Sequence, residues 1–154
     1  MNYRKRAEKL SERIAGKDAD CIAITSLPNL RYFFDYAGQS FERFCCGLLT
    51  RDGTRSALVI PSLDKAKAER TAAENVYTWT DNEGYDGALN SAIADLGIEG
   101  KVVGCELSMT MGQMDSFKVG VGTSSFVAVT EEISKLRMLK DDQEIAELHK
   151  SSRN

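Results

Sequence analysis

The chain is short of the residues that most catalytic, secreted and membrane functions draw on. Its 154 residues hold one histidine, His149. That residue lies four positions after Ile145 on a helix that reads as exposed, and no serine or cysteine nucleophile is placed to use it. The four cysteines, Cys21, Cys45, Cys46 and Cys105, show no C-x-x-C spacing. Three of them stand inside apolar, strand-like runs, which predicts reduced, buried thiols and a cytoplasmic protein. No apolar run approaches the roughly 18 residues a membrane span needs, and the N-terminus has no signal-peptide core. A membrane partner is therefore not expected. A basic excess is missing too: the formal net charge is -3, which argues against duplex nucleic acid as a partner. Neither an internal repeat nor a low-complexity segment is present.

What remains is ordinary soluble material, 42% hydrophobic and 28% charged, in a length that fits one domain with a proper core. Tyr3, Ala7, Leu10 and Ile14 share one face of a first helix, which Gly16 is expected to close. Arg4, Lys5 and Arg6 at its start are diluted by Glu8 and Glu12 and read as a solvated face. Cys21 to Thr25 is a short buried strand. Ser26 then leads into a helical segment from Asn29 to Tyr36, with Pro28 in its first turn. Phe44 to Thr50 and Arg55 to Ile60 flank Arg51-Asp52-Gly53-Thr54, a strong hairpin signal. Pro61 stops the second strand, and Leu63 to Glu74, rich in Ala, Lys and Glu, predicts a helix. Strands follow at Val76 to Thr80, Lys101 to Cys105 and Ser125 to Val129. Between them come a helix from Tyr85 to Leu96, ended by Gly97, and another from Thr110 to Phe117 with Met111, Met114 and Phe117 inward. A hairpin followed by alternating helix and strand gives an α/β fold: a mixed sheet of about five to six strands with helices on both faces.

The last stretch holds two abutting helices. Thr130 is the expected N-cap of the first, whose stripe runs through Ile133, Leu136 and Leu139 or Lys140. Asp141 with Glu144 makes a capping-box-like start for the second, and Ile145 and Leu148 give it an apolar edge. A helix of about three turns is marginal in water unless that edge packs on something. It is expected to be the first helix of a further domain, held loosely by this one.

Two segments carry a resemblance. Leu136-Arg137-Met138-Leu139-Lys140, running on to Glu144-Ile145, resembles the L-R-x-x-K…E-[IL] linker of the creatinase, prolidase and aminopeptidase P family. Asn29-Leu30-Arg31-Tyr32-Phe33 is similar to that family's N-[IL]-R-Y-[LF] segment, with Asp35 where glycine is commoner. The resemblance implies a ribonuclease-H-like N-terminal domain over residues 1–130, and over 131–154 a linker and the start of a C-terminal catalytic domain. It further implies an Xaa-Pro dipeptidase or aminopeptidase as parent, a homodimer. The paired divalent metal ions (manganese, cobalt or zinc) would belong to the catalytic domain. In this segment no catalytic residue and no metal ligand is expected, because two Asp, one His and two Glu cannot be assembled here. The first strand also lacks the carboxylates a ribonuclease-H-type nuclease needs. Gly120-Val121-Gly122-Thr123-Ser124 follows a helix and precedes a strand, the reverse of a phosphate loop, and reads as a connection.

Ser40-Phe41-Glu42-Arg43-Phe44 resembles the family's P-H-E-R-[LF] segment, with Ser40 and Phe41 in place of Pro and His. The resemblance makes Phe41, Glu42 and Arg43 substrate-facing or interface residues, since an arginine suits a substrate carboxylate. An Arg43–Glu42-type surface pair or an intradomain ion pair is the structural alternative. Two functions stay open: a non-catalytic domain contributing dimer contacts and substrate access control, or a free-standing peptide- or protein-binding module.

Overall fold

The computed structural model describes residues 2–38, 43–122, 125–140 and 142–152. Helix α1 spans Tyr3–Arg13, and the Asn2 side chain caps it by accepting from Lys5 N at 3.0 Å. Strand β1 is Cys21–Ile24 and helix α2 is Leu27–Phe34. The hairpin strands are β2, Cys46–Thr50, and β3, Ser56–Pro61. A single helical turn, α3, covers Lys65–Ala68 before strand β4, Asn75–Trp79. Helix α4 (Asp86–Leu96), strand β5 (Val103–Cys105), helix α5 (Met111–Val121) and strand β6 (Phe126–Ala128) follow. Helices α6, Thr130–Met138, and α7, Asp142–Ser151, complete the chain.

The six strands form one mixed sheet in the order β4-β3-β2-β1-β5-β6. β2 is antiparallel to both β1 and β3, while β1–β5, β5–β6 and β3–β4 are parallel. β2 therefore runs against the other five. The hairpin signal is realised at Gly53, whose φ of +68° suits glycine and whose missing Cβ would sit 2.8 Å from Ala7 O.

Side-chain alternation along β1 divides the core. Cys21 and Ala23 join Leu89, Ala92 and Ile93 of α4 and Phe117 of α5 on one face. Ile22 and Ile24 join Leu10, Leu30, Phe34, Ile133 and Leu136 from α1, α2 and α6 on the other. A sheet buried on both faces needs helices on both, and the sequence supplies them. All four cysteines are free and buried. No helix among the described residues is long and apolar enough to cross a membrane.

Several local expectations are corrected. The helix expected over Leu63 to Glu74 shrinks to a 3-10 turn at Ser62–Asp64 and the one turn of α3. Tertiary contacts override its helix propensity: Tyr36 Oη and Lys67 Nζ both donate to Asp64 at 2.6 Å, and Ala72 N donates to Phe34 O at 2.8 Å. Met111 is 82% exposed because it opens α5 behind the Thr110–Gln113 capping box. The helix then runs through Gly120 and Val121, so Phe117 and Val121 are its buried positions. Gly16 is not a left-handed cap, since α1 closes at Ile14. The cap of α6 is Val129, and Thr130 Oγ1 instead accepts from Leu107 N at 2.8 Å. Leu139, expected on the inward stripe, is 71% exposed. Asp141 and Thr123-Ser124 lie outside the described residues, as does the Leu148 side chain.

Candidate functional site at the carboxyl edge of the sheet

Five strands end at the same edge, and polar residues collect there. In open α/β sheets, ligands bind outside the carboxyl ends of the strands. Glu106 directly follows β5 and is 3% exposed. Its carboxylate accepts from Thr25 N at 2.6 Å, Ser26 N at 2.9 Å, Ser26 Oγ at 2.6 Å and Asn29 Nδ2 at 2.5 Å. The carboxylate thus stands at the N-terminus of α2, where unsatisfied amides and the helix dipole favour negative charge. Ser26 is the N-cap of α2, but its hydroxyl is turned to Glu106.

Asn29 links this carboxylate to the linker helix. While its amide nitrogen donates to Glu106, its Oδ1 accepts from Arg137 Nη1 at 3.0 Å. The two segments that carry the resemblance are thus in direct contact through Asn29 and Arg137. Glu106 was missed in the sequence because its partners lie about eighty residues away. The available signal was an acid placed at the end of an apolar strand.

Arg6 was also misread. It is 6% exposed, and with Tyr3 and Leu10 it keeps i, i+3, i+7 spacing, so the inward face was open to it. Its guanidinium lies 4.0 Å from the Tyr32 ring centroid and 5.5 Å from that of Tyr3. Nη1 donates to Tyr32 O at 2.8 Å, and Nη2 lies 3.0 Å from Glu144 Oε1. Arg4 pairs with Glu8 and keeps the solvated role expected of it.

Arg43 stands at the same edge, just before Phe44. Its Nε donates to Asp81 Oδ1 at 3.0 Å and its Nη2 to Asp81 Oδ2 at 2.6 Å. The fork is bidentate, with side chains 40% and 63% exposed. Arg43 holds the Asp81 carboxyl below the usual range, and Asp81 raises Arg43 in turn. Trp79 Nε1 donates to Phe44 O at 3.1 Å, and Phe44 stacks on Tyr85 at 4.0 Å, so the backbone beside Arg43 is anchored. An intradomain ion pair is therefore formed. Phe41 and Glu42 lie outside the described residues. Behind Arg43, burial and a hydrogen bond to Asp64 push the Tyr36 phenol up. Burial raises Asp64 itself, but Lys67 and Tyr36 outweigh it and leave the carboxyl below its ordinary value. Leu63, Leu107 and Met111 are exposed along this edge at 74%, 77% and 82%.

Nucleophile and metal chemistry find little support in these groups. Burial pushes the Cys21 thiol up to about 12 and raises those of Cys46 and Cys105. His149 is exposed on α7. Glu106 is enclosed by four hydrogen-bond donors, an environment that satisfies a carboxylate without a cation. Among the described residues no three His, Cys, Asp or Glu side chains converge as metal ligands. The described residues thus offer no ligand set that fits a metal pair.

Comparison with known proteins agrees with this geometry. The Creatinase/Prolidase N-terminal domain family matches residues 6–139. An uncharacterized peptidase of Staphylococcus aureus strain bovine RF122 / ET3-1 is 25% identical over 146 residues, 94% of this chain and 39% of that protein. The chain spans about two-fifths of the length of the curated relatives it matches. A recombinant prolidase from Thermococcus sibiricus superposes with a TM-score of 0.79 at 22% identity, over 95% of this chain and 40% of that one. The creatinase/prolidase N-terminal domain of an X-Pro dipeptidase from Streptococcus pyogenes superposes at 0.75 and 14% identity, over 86% of this chain and 98% of that one.

Proposed function

The chain belongs to the creatinase/prolidase N-terminal domain family, and from that premise we propose that it serves as the non-catalytic N-terminal half of an Xaa-Pro dipeptidase or aminopeptidase. The observation that carries this reading is one of extent. The chain matches 98% of an N-terminal domain solved alone but 40% of a whole prolidase. The remaining length of such an enzyme would supply the two divalent metal ions and their ligands, together with the hydrolytic step.

In this reading the domain's own contribution is made at the carboxyl edge of the sheet. Exposed Leu63, Leu107 and Met111 provide apolar area for contact with a second subunit, and Arg43 faces that subunit's cleft. Asp81 keeps the Arg43 fork in the geometry that also suits a peptide's terminal carboxylate. Because Asp81 is largely exposed, exchange of one carboxylate for another needs no buried charge to be stranded. The domain thereby restricts access and orients substrate without touching the reacting bond.

The test is hydrolysis of an Xaa-Pro dipeptide with manganese or cobalt, by this chain alone and by the longer protein that contains it. Activity confined to the longer protein is the expected result. Cleavage by the purified chain alone, with a contaminating peptidase excluded, would overturn the non-catalytic assignment.

A further inference from the structure

The described apolar residues at the joint between α6 and α7 are exposed. Leu139, the residue at the break, has an extended ψ of 110° and is 71% exposed. Ile145, in the first half of α7, is 42% exposed. Burial of Leu139 and Ile145 therefore does little to set the direction of α7. Two polar contacts flank it instead. Two residues before Leu139, Arg137 is held by Asn29, which is fixed in turn by Glu106. Five residues after it, Glu144 meets Arg6.

Both anchors are preorganised. Asn29 is 8% exposed and has both ends of its amide engaged. The Arg6 guanidinium lies against two tyrosine rings and donates to a backbone carbonyl. A guanidinium held on a ring face and by a carbonyl loses little further freedom when a carboxylate arrives. One anchor governs the end of α6 and the other the start of α7. Together they tie both sides of an exposed, extended joint to α1 and α2.

We propose that Asn29–Arg137 and Arg6–Glu144 form a two-point clamp that fixes the direction in which α7 leaves the domain, which makes Arg137 and Glu144 positioning residues. The clamp is a property of this chain. Its consequence for catalysis rests on the peptidase reading above, because only then does α7 lead into a metal-bearing domain. The clamp also explains why Tyr32, in the first family-like segment, matters to the second. Its ring and carbonyl hold Arg6, and Arg6 holds the helix that follows the linker.

Amide exchange on the isolated chain tests the clamp, read at residues 144–150 with β1 and β5 as internal reference. Glu144→Gln and Arg6→Met are each expected to speed exchange in α7 about tenfold. The double variant should do little more than Arg6→Met alone, which already removes the contact to Glu144. Arg137→Gln should speed exchange at the end of α6 and in α7 together. Unchanged exchange of α7 in Glu144→Gln, or independent addition of the Arg6 and Glu144 effects, would overturn the clamp. In the longer protein, Glu144→Gln should lower kcat several-fold with KM and the unfolding midpoint little changed, and Glu144→Asp should recover part of the loss. Faster exchange with unaltered kcat would overturn the positioning role. A wild-type protein without peptidase activity would overturn the proposed function alone, since exchange is read on this chain.

Discussion

Replacing Glu106 by alanine should be among the most damaging single changes available outside the apolar core. The carboxylate accepts four hydrogen bonds while 3% exposed. Removing it strands Thr25 N, Ser26 N, Ser26 Oγ and Asn29 Nδ2, four donors gathered around the start of α2. Hydrogen bonds to a charged group contribute about 1.5–3 kcal/mol each, but they are not additive, and water entering the space offsets part of the loss. A net cost of about 3–5 kcal/mol is the working figure for breaking such a buried polar network. At this chain length each kcal/mol lowers the melting temperature by about 2–4 °C, so the midpoint should fall by roughly 6–20 °C. Glu106→Gln should cost less, about 1–3 kcal/mol, because one oxygen remains but an NH2 now faces former donors. Urea titration monitored at Trp79 gives both values. Amide exchange should place the excess opening in α2 and in the end of α6, reached through Asn29 and Arg137. If Glu106→Ala and Glu106→Gln both unfold within 0.5 kcal/mol of wild type, about the scatter of surface substitutions, the network does not hold these elements together.

Three further outcomes follow from individual residues. In the longer protein, Arg43→Ala should lower kcat/KM roughly ten- to a hundred-fold with the domain still folded, whereas a lowered melting temperature with unchanged kinetics would make Arg43 scaffold. Asp35 is the only described non-glycine residue with positive φ, at 56°, so Asp35→Gly should raise unfolding free energy by about 0.5–1 kcal/mol. A loss in its place would mean that the hydrogen bond between Asp35 and Tyr3 outweighs the backbone relief. Asp64 is held below its ordinary value, so the unfolded state takes up the proton first as pH falls. The stability it contributes is present above the ordinary aspartate value of about 3.9 and is lost as pH drops through the folded value. Urea midpoints measured downward from pH 5 should therefore fall less steeply in Asp64→Asn than in wild type.

Local signals carried most of the fold. Asp52-Gly53 announced the hairpin through a turn that only a few residues satisfy. Leu89, Ala92, Ile93 and Leu96 announced α4 by spacing, and Gly97 closes it with a φ of +66°. The failures have a common physical cause, which is the capture of a polar side chain by a distant partner. The Leu63 to Glu74 segment had helix propensity, but Tyr36 draws Asp64 inward and breaks it. Arg6 looked like part of a solvated cluster, and the approach of Tyr32 and Glu144, distant in sequence, explains its burial. The family-like segments around Asn29 and Arg137 were visible, but their mutual contact was not. It is a direct hydrogen bond whose Asn29 end is fixed by Glu106, and the placement of Glu106 depends on the parallel pairing of β1 with β5.

The central claim is that this domain works as the non-catalytic half of a larger Xaa-Pro peptidase. It is tested most directly by capturing the natural polypeptide that contains residues 1–154 from its source, measuring its intact mass and assaying the same fraction for Xaa-Pro cleavage. The account predicts a polypeptide about two and a half times the length of this chain, as in the relatives of which it covers 39%, with cleavage lost on chelation and restored by manganese or cobalt. A natural polypeptide of the chain's own 17.0 kDa that binds peptides without cleaving them would contradict it and establish the free-standing binding module.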